Sequence, residues 1–390
     1  MIYFDNAATT KPIPEAIAAA RDAMETHWAN PSSVHGAGND ANKVLAESRR
    51  AIAKALGVRR DAEGRVFFTG SGTEANNLAV FGSVYAKSRP QKGDFRGRIL
   101  TTDSEHPAVE EAVRRLETDG FEVLRVPTKG GALDFDYIEA HAEGVILATF
   151  MLVNNETGAL YDVRRAFGTV REKSPQAVMH TDAVQGFMKV RFTPAALGAD
   201  MVTVSAHKIG GVKGVGALYV SEAILKAKKL IPVTVGGGQE NGMRSGTENL
   251  PGIAAFAAAC RVASERFAEH ASAVRHVRER IVAGLSASTE IRVNVPENGI
   301  DGIVSVTMPG IRSETVLNDL SSRGICVSAG SACSSHAVKK GSRVLEAFGL
   351  PPAEADTTVR VSISPDNTAD EADALARSLS QIAATRQRVK

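Results

Sequence analysis

Three short segments carry residue types capable of chemistry, and each stands at the end of an apolar run. VFFTGSGTEANNLAVFG, residues 66–82, reads as strand, glycine-rich turn and helix. Such a turn leaves backbone N–H groups at a helix N-terminus, where an anion can sit. The segment fits neither GxxxxGK[ST] nor GxGxxG, so the P-loop and dinucleotide readings lack their defining residues. An ordinary tight turn at Gly70, Ser71 and Gly72 accounts for it equally well. MHTDAVQ, residues 179–185, ends a strand at Asp182 with Gln185 three residues on, and an Asp in that place most simply caps the following helix. ADMVTVSAHKIGG, residues 199–211, runs a strand into Ser205, His207 and Lys208. A lysine between a buried strand and glycines is partly desolvated, which lowers its pKa and suits a nucleophilic or Schiff-base amine.

Taken in chain order, these are an anion turn, an acid at a strand end and a lysine at the next strand end. Pyridoxal 5'-phosphate (PLP) needs those three groups: a helix N-terminus for its phosphate, a carboxylate for its pyridinium nitrogen and a lysine for its aldehyde. The conjunction is far more specific than any member.

The elements that must hold these residues are legible from about residue 65 to 220, where short β-branched runs alternate with helical patterns, as in βαβ units closing a mainly parallel sheet. The predicted strands are 65–69, 98–102, 122–126, 145–153, 177–181, 199–204 and 216–220. Between them, PAVEEAVRRLETDG repeats Val109, Val113 and Leu116 at helical spacing and stops at Gly120. Ligands of such sheets bind beyond the carboxyl ends of the strands, which is where the three segments end. A long alanine-rich helix from about Leu250 to Leu285 is expected to connect this unit to a smaller one. The 390 residues favour two packed domains, and 43% hydrophobic with 23% charged residues is ordinary globular composition. A net charge of +2, with no basic run interleaved with aromatics, argues against nucleic acid. Lys226, Lys228 and Lys229, and the tail residues Arg386, Arg388 and Lys390, read as solvated surface. An odd count of three cysteines without zinc-ligand spacing and a start lacking an apolar signal segment suit a reducing cytoplasm. VILATFMLV at 145–153 is too short to span a membrane, so a soluble protein is expected.

FDNAATT, SGTEANN, SEHPAV, VNNETG, HTDAVQ, SAHKIGG, GGGQENGMRSGTEN and SAGSACSS, in this order over roughly residues 2–365, resemble the cysteine desulfurases, fold-type I PLP enzymes of the class V aminotransferase superfamily. The resemblance implies an α/β protein with a mainly parallel seven-stranded sheet flanked by helices, plus a smaller α+β domain. Residues 16–261 would form the large PLP-binding domain, and 1–15 with 262–390 the small one. It also implies that Lys208 carries PLP, that Asp182 pairs with the pyridine nitrogen and that Gln185 hydrogen-bonds the phenolic oxygen. Gly72, Thr73, Ser205 and His207 would contact the phosphate, with Thr247 reaching in from the partner of a homodimer. His106 would stack on the ring and move protons. Asn155 would lie beside cofactor and substrate, and Arg360 would clamp the substrate carboxylate. Each has a plainer reading: His106 as a helix cap, Asn154 and Asn155 as turn formers, Arg360 as a solvent-facing strand residue. His35 of NPSSVHG is a further residue that approaches the site on this resemblance. No metal is implied.

Cys260 in AAFAAAC and Cys326 in GICVS read as core, whereas Cys333 lies in SAGSACSSHAVKKG, a glycine-, serine- and alanine-rich stretch that reads as an exposed loop. The expected reaction converts L-cysteine to L-alanine, with Lys208 removing the Cα proton and the Cys333 thiolate taking the sulfur as a persulfide. An iron–sulfur scaffold or a tRNA-thiolation carrier would then accept that sulfur. Rival readings on the same fold are a selenocysteine lyase or cysteine-sulfinate desulfinase, an aminotransferase, and a sulfur scaffold without catalysis. Three departures from the family pattern touch the loops: Gly70 and Ser71 exchanged relative to the usual TSGxTE, about one extra residue in HAVKKGSRVL with Lys339 and Lys340, and SISPDNT after Arg360.

Overall fold

The computed structural model describes residues 1–59, 65–87, 97–286, 288–330 and 342–385. Its strands are β1 (Ile2–Tyr3), β2 (Val66–Thr69), β3 (Arg98–Thr102), β4 (Glu122–Val126), β5 (Val145–Met151), β6 (Val178–Asp182), β7 (Met201–Ser205), β8 (Gly216–Val220), β9 (Arg292–Asn294), β10 (Ile303–Thr307), β11 (Ile325–Cys326), β12 (Ser328–Ala329) and β13 (Thr358–Ser362).

Seven of them form one sheet in the order β2-β8-β7-β6-β5-β3-β4. Only β8 runs against its neighbours; the remaining pairs are parallel. Strands β2, β5, β6, β7 and β8 are buried along their whole length, which explains why they appear as continuous apolar runs rather than alternating ones. The predicted strands agree with the observed ones to within two residues. Helices Gly72–Lys87, Pro107–Thr118 and Val163–Lys173 cross between strands and bury apolar faces on the sheet.

A second core lies around a four-stranded antiparallel sheet ordered β12-β13-β10-β9 and the pair β1-β11. It gathers Val304, Val306, Val359 and Val361 with helices Phe267–Ser286, Ser313–Ser322 and Ala369–Thr385, and it takes in Phe4 from the chain start. Residues 5–10 therefore pass from this core to the edge of the large sheet.

Two expectations need correction. The helix from Leu250 to Leu285 is two helices, Leu250–Glu265 and Phe267–Ser286, parted at Arg266, where φ −100° and ψ 17° leave the helical region. The first packs on helices Pro14–Glu25 and Gly36–Ala55 and the second on Ala369–Thr385, so one rod would have to serve two cores. Cys260 is fully buried, but Cys326 is only half-buried, because β11 is two residues long and pairs with β1 alone.

Candidate active site

The carboxyl edge of the large sheet is set by register: Thr69 and Ser205 both pair with Gly216, and Asp182 pairs with Met151 and Thr203. The anion turn, the acid and the lysine loop thus emerge side by side. Beyond Ser205 the chain makes a tight 3-10 turn, Ala206–Lys208. Lys208 Nζ donates to the carbonyls of Ala7 at 2.7 Å and Ala8 at 2.9 Å. The N-terminal segment is fastened to this turn, since Thr10 N–H donates to the His207 carbonyl at 2.9 Å and Gly210 N–H donates to Thr10 Oγ1 at 2.7 Å. His207 Nδ1 lies 3.2 Å from Thr9 Oγ1. Burial, then the charges of Lys208, Lys213 and Lys189, push its imidazole down to about 4, so it is neutral at pH 7.

At the turn, Glu74 Oε2 accepts the Gly70 N–H at 2.7 Å and Ser71 Oγ accepts the Glu74 N–H at 3.1 Å. The first-turn amides of Gly72 and Thr73 have no intrahelical partner, as at any helix start. A side chain on Gly72 would come within 3.0 Å of Val184 and 3.4 Å of the Ser205 Cβ, so turn and lysine loop are in contact there. Thr73 is exposed at the mouth.

Asp182 is buried. Its Oδ1 accepts the Val184 N–H at 2.9 Å, the local bond expected of an Asp at a strand end, and its Oδ2 accepts from Asn76 Nδ2 at 2.6 Å. Asn76 was missed in the sequence, although it stands four residues after Gly72 and so on the same helix face. Gln185 Nε2 donates to the Ala7 carbonyl at 2.8 Å, and its Oε1 accepts from Lys189 Nζ at 2.7 Å.

His106 caps helix Pro107–Thr118, with Nδ1 accepting the Ala108 N–H at 3.1 Å. That bond puts the imidazole proton on Nε2. Burial pulls its pKa down, against the raising pull of Asp182 and with the further lowering pull of Lys208 and Arg360. The cap reading holds, and the ring stands close enough to Asp182, Lys208 and Arg360 to feel their charges. Beneath it Glu105 is fully buried and accepts from the Thr102 hydroxyl at 2.9 Å and the Met151 N–H at 2.8 Å. Burial lifts its carboxyl to about 8. Asn154 is a turn former, its Oδ1 accepting the N–H groups of Glu156 and Thr157, both at 2.9 Å.

Arg360 does not face solvent; it is 5% exposed in the middle of β13. One terminal nitrogen donates to the Asn155 carbonyl at 3.0 Å and the other to Asp5 Oδ1 at 2.9 Å. Next to Asn155, Glu156 accepts from the Ser342 hydroxyl at 2.5 Å, and burial lifts its carboxyl to about 7.

Not every expected residue gathers here. His35 caps helix Gly36–Ala55 through Nδ1, which accepts the Gly38 N–H at 3.2 Å. Thr247 is exposed. Cys333 lies outside the described residues. Among the described residues no cluster of His, Cys, Asp and Glu could hold a metal ion, and no helix is long and apolar enough to cross a membrane.

Whether PLP suits this edge can be judged from polar atoms. Ser205 Oγ, Asn76 Oδ1, Asn155 Oδ1 and Arg360 Nε are buried without a hydrogen-bond partner among the described residues. Each such atom costs about 1–3 kcal/mol if nothing meets it. A hydroxyl beside the anion turn and a guanidinium edge suit a phosphate and a carboxylate, so the donor set fits.

The mainly parallel seven-stranded sheet, flanked by helices and ending in a glycine-rich turn, an acid and a lysine, defines the class: an α/β architecture of the fold-type I kind. Residues 2–375 match the Aminotransferase class-V family. A curated cysteine desulfurase of Trichormus azollae is 34% identical over 96% of this chain and 90% of its own length. Cysteine desulfurase IscS 1 of Archaeoglobus fulgidus is 35% identical over 96% of this chain and 95% of its own. Among solved structures, a NifS-like protein superposes with a TM-score of 0.89 at 32% identity, covering 99% of this chain and 100% of that one. SspA in complex with cysteine superposes at 0.80 and 30% identity, covering 94% and 100%. The chain belongs to the cysteine desulfurase family within the class-V aminotransferases.

Proposed function

We propose that this protein is a PLP-dependent cysteine desulfurase that converts L-cysteine to L-alanine and passes the sulfur to Cys333. The observation that carries the reading is the convergence of Lys208, Asp182 and the Gly72–Ser205 contact at one sheet edge, with unpaired buried polar atoms around them. Bound PLP supplies an aldehyde for the substrate amine and an electron sink for the pair left at Cα.

Lys208 would hold the cofactor and, freed, would take the substrate's Cα proton on Nζ. Asp182, oriented by Asn76, keeps the pyridine nitrogen protonated, and Gln185 donates to the phenolic oxygen. Gly72, Thr73, Ser205 and neutral His207 receive the phosphate, joined by Thr247 of a second copy. His106 would lie over the ring and offer its Nε2–H. Asn155 and Arg360 bind the substrate, and the open Nε edge of Arg360 takes the carboxylate. A two-point grip there requires the nitrogen bonded to Asp5 to be shared. The Cys333 thiolate attacks the substrate sulfur; the S–S bond forms as C–S breaks, and that pair stays on Cβ, which takes up a proton to become the methyl group of alanine. Support for Cys333 comes from its sequence context and from the flanks of its segment, since Ser328 pairs with Arg360 and Ser342 bonds Glu156.

We assign residues 16–261 to the large domain and 1–15 with 262–390 to the small one. The homodimer is supported by apolar surface: Trp28, Val34 and Val235 are 75%, 94% and 77% exposed. A cytoplasmic setting keeps the thiols reduced, and an iron–sulfur scaffold or thiolation carrier receives the persulfide sulfur; no nucleic acid partner is expected. PLP-loaded protein given L-cysteine and a thiol reductant should release alanine and sulfide in equal amounts. Keto acid without sulfide would mean an aminotransferase, and turnover confined to selenocysteine or cysteine sulfinate would mean the neighbouring lyase activities.

A further inference from the structure

The Gln185 amide has an acceptor end and a donor end, and only its NH2 can donate to a phenolic oxygen. Lys189, which plays no part in the reaction outlined above, lies within hydrogen-bond range of it. Its Nζ donates to Gln185 Oε1 at 2.7 Å. On the other side of the amide, Gln185 Nε2 and Lys208 Nζ converge on one acceptor, the Ala7 carbonyl, at 2.8 and 2.7 Å. An ammonium has three donors and no acceptor, so it accepts no bond from an amide NH2. With Lys189 protonated, Oε1 turns toward it and Nε2 toward the Ala7 carbonyl, on the side of Lys208.

The placement is costly, which argues against accident. Met188, the residue before it, adopts φ +58°, a left-handed conformation that a non-glycine residue takes at a cost. Lys189 also stands close enough to Lys208 and Arg360 to feel both cations. Burial, then those two charges, bring its ammonium down to about 7. A methionine or leucine would fill the same space without that expense.

We propose that Lys189 is a positioning residue, fixing the Gln185 amide so that its NH2 donates to the phenolic oxygen of the bound cofactor. The inference rests on the PLP reading of the site. Its test compares wild type, Lys189→Met, Lys189→Arg, Gln185→Leu and the Lys189→Met/Gln185→Leu double variant. The readouts are the position of the visible absorption band after PLP is added and the PLP dissociation constant from titration. Lys189→Met should shift the band and weaken PLP binding about tenfold, the loss of one hydrogen bond. Lys189→Arg, still donor-only, should keep both near wild type. Added to Gln185→Leu, Lys189→Met should change neither further, because its route runs through the amide. Wild-type values in Lys189→Met, or a full additional effect in the double variant, would overturn the inference. If wild type itself develops no visible band with PLP, the cofactor reading falls, and this inference with it.

Discussion

Arg360 and Asp5 are partners 355 residues apart in sequence, and their ion pair at 2.9 Å shapes the place where the substrate carboxylate would arrive. Lysine in place of Arg360 keeps the charge but loses the planar fork that can serve Asp5, the Asn155 carbonyl and a carboxylate together. Arg360→Lys should therefore raise KM for L-cysteine about tenfold or more, with a smaller change in kcat, in steady-state assays. Glu105 offers a test of burial alone. Its carboxyl is raised to about 8 in the folded protein from 4.5, so the stability of the neutral form is complete below pH 4.5 and is lost as pH rises through 8. Glu105→Gln lacks that decline. Urea unfolding should find it close to wild type near pH 5 and more stable by about 4 kcal/mol at pH 9. The placement of Asp182 and Lys208 was legible in the sequence because one ends an apolar strand and the other stands in the turn just after the next. Asp5, Asn76, Glu105 and Lys189 were not, since their roles come from contacts between distant segments.

Gly216 shows how the strands make the anion site. It stands in register between Thr69 and Ser205. A Cβ there would lie 2.6 Å from the Ser71 carbonyl carbon and 2.8 Å from the Gly72 nitrogen, both backbone atoms. Gly216→Ala must push the turn outward, weakening PLP affinity about tenfold or more and costing about 1–3 kcal/mol. Gly36→Ala, whose added carbon meets nothing within 4 Å, should leave affinity unchanged; fluorescence titration and thermal denaturation read both variants. The strands of this sheet were legible because burial on both faces writes them as apolar runs between turn residues. The break at Arg266 was not, because the alanine-rich pattern continues through it and only the separation of the two cores requires the chain to bend.

Across the whole molecule, a near-neutral balance of 46 basic and 44 acidic residues leaves apolar surface as the main instruction for assembly. Val235 is exposed and opens the loop that leads to exposed Thr247. If a second copy covers it, Val235→Asp should shift sedimentation from dimer toward monomer and lower desulfuration more than tenfold, because each site would lose Thr247 of the other copy. A second, smaller α+β core was readable from length and from the change of pattern after residue 250; the return of residues 5–10 across the candidate site was not, because those residues are held by bonds to His207, Lys208 and Gln185 that no local pattern announces. The most direct test of the central claim is mass analysis of the Cys333 peptide after PLP-loaded protein is mixed with L-cysteine, with alanine measured in the same sample. One added sulfur on Cys333 is expected, matched by alanine and abolished in Lys208→Ala. Alanine formed in full with Cys333 unmodified, or after Cys333→Ala, would contradict it.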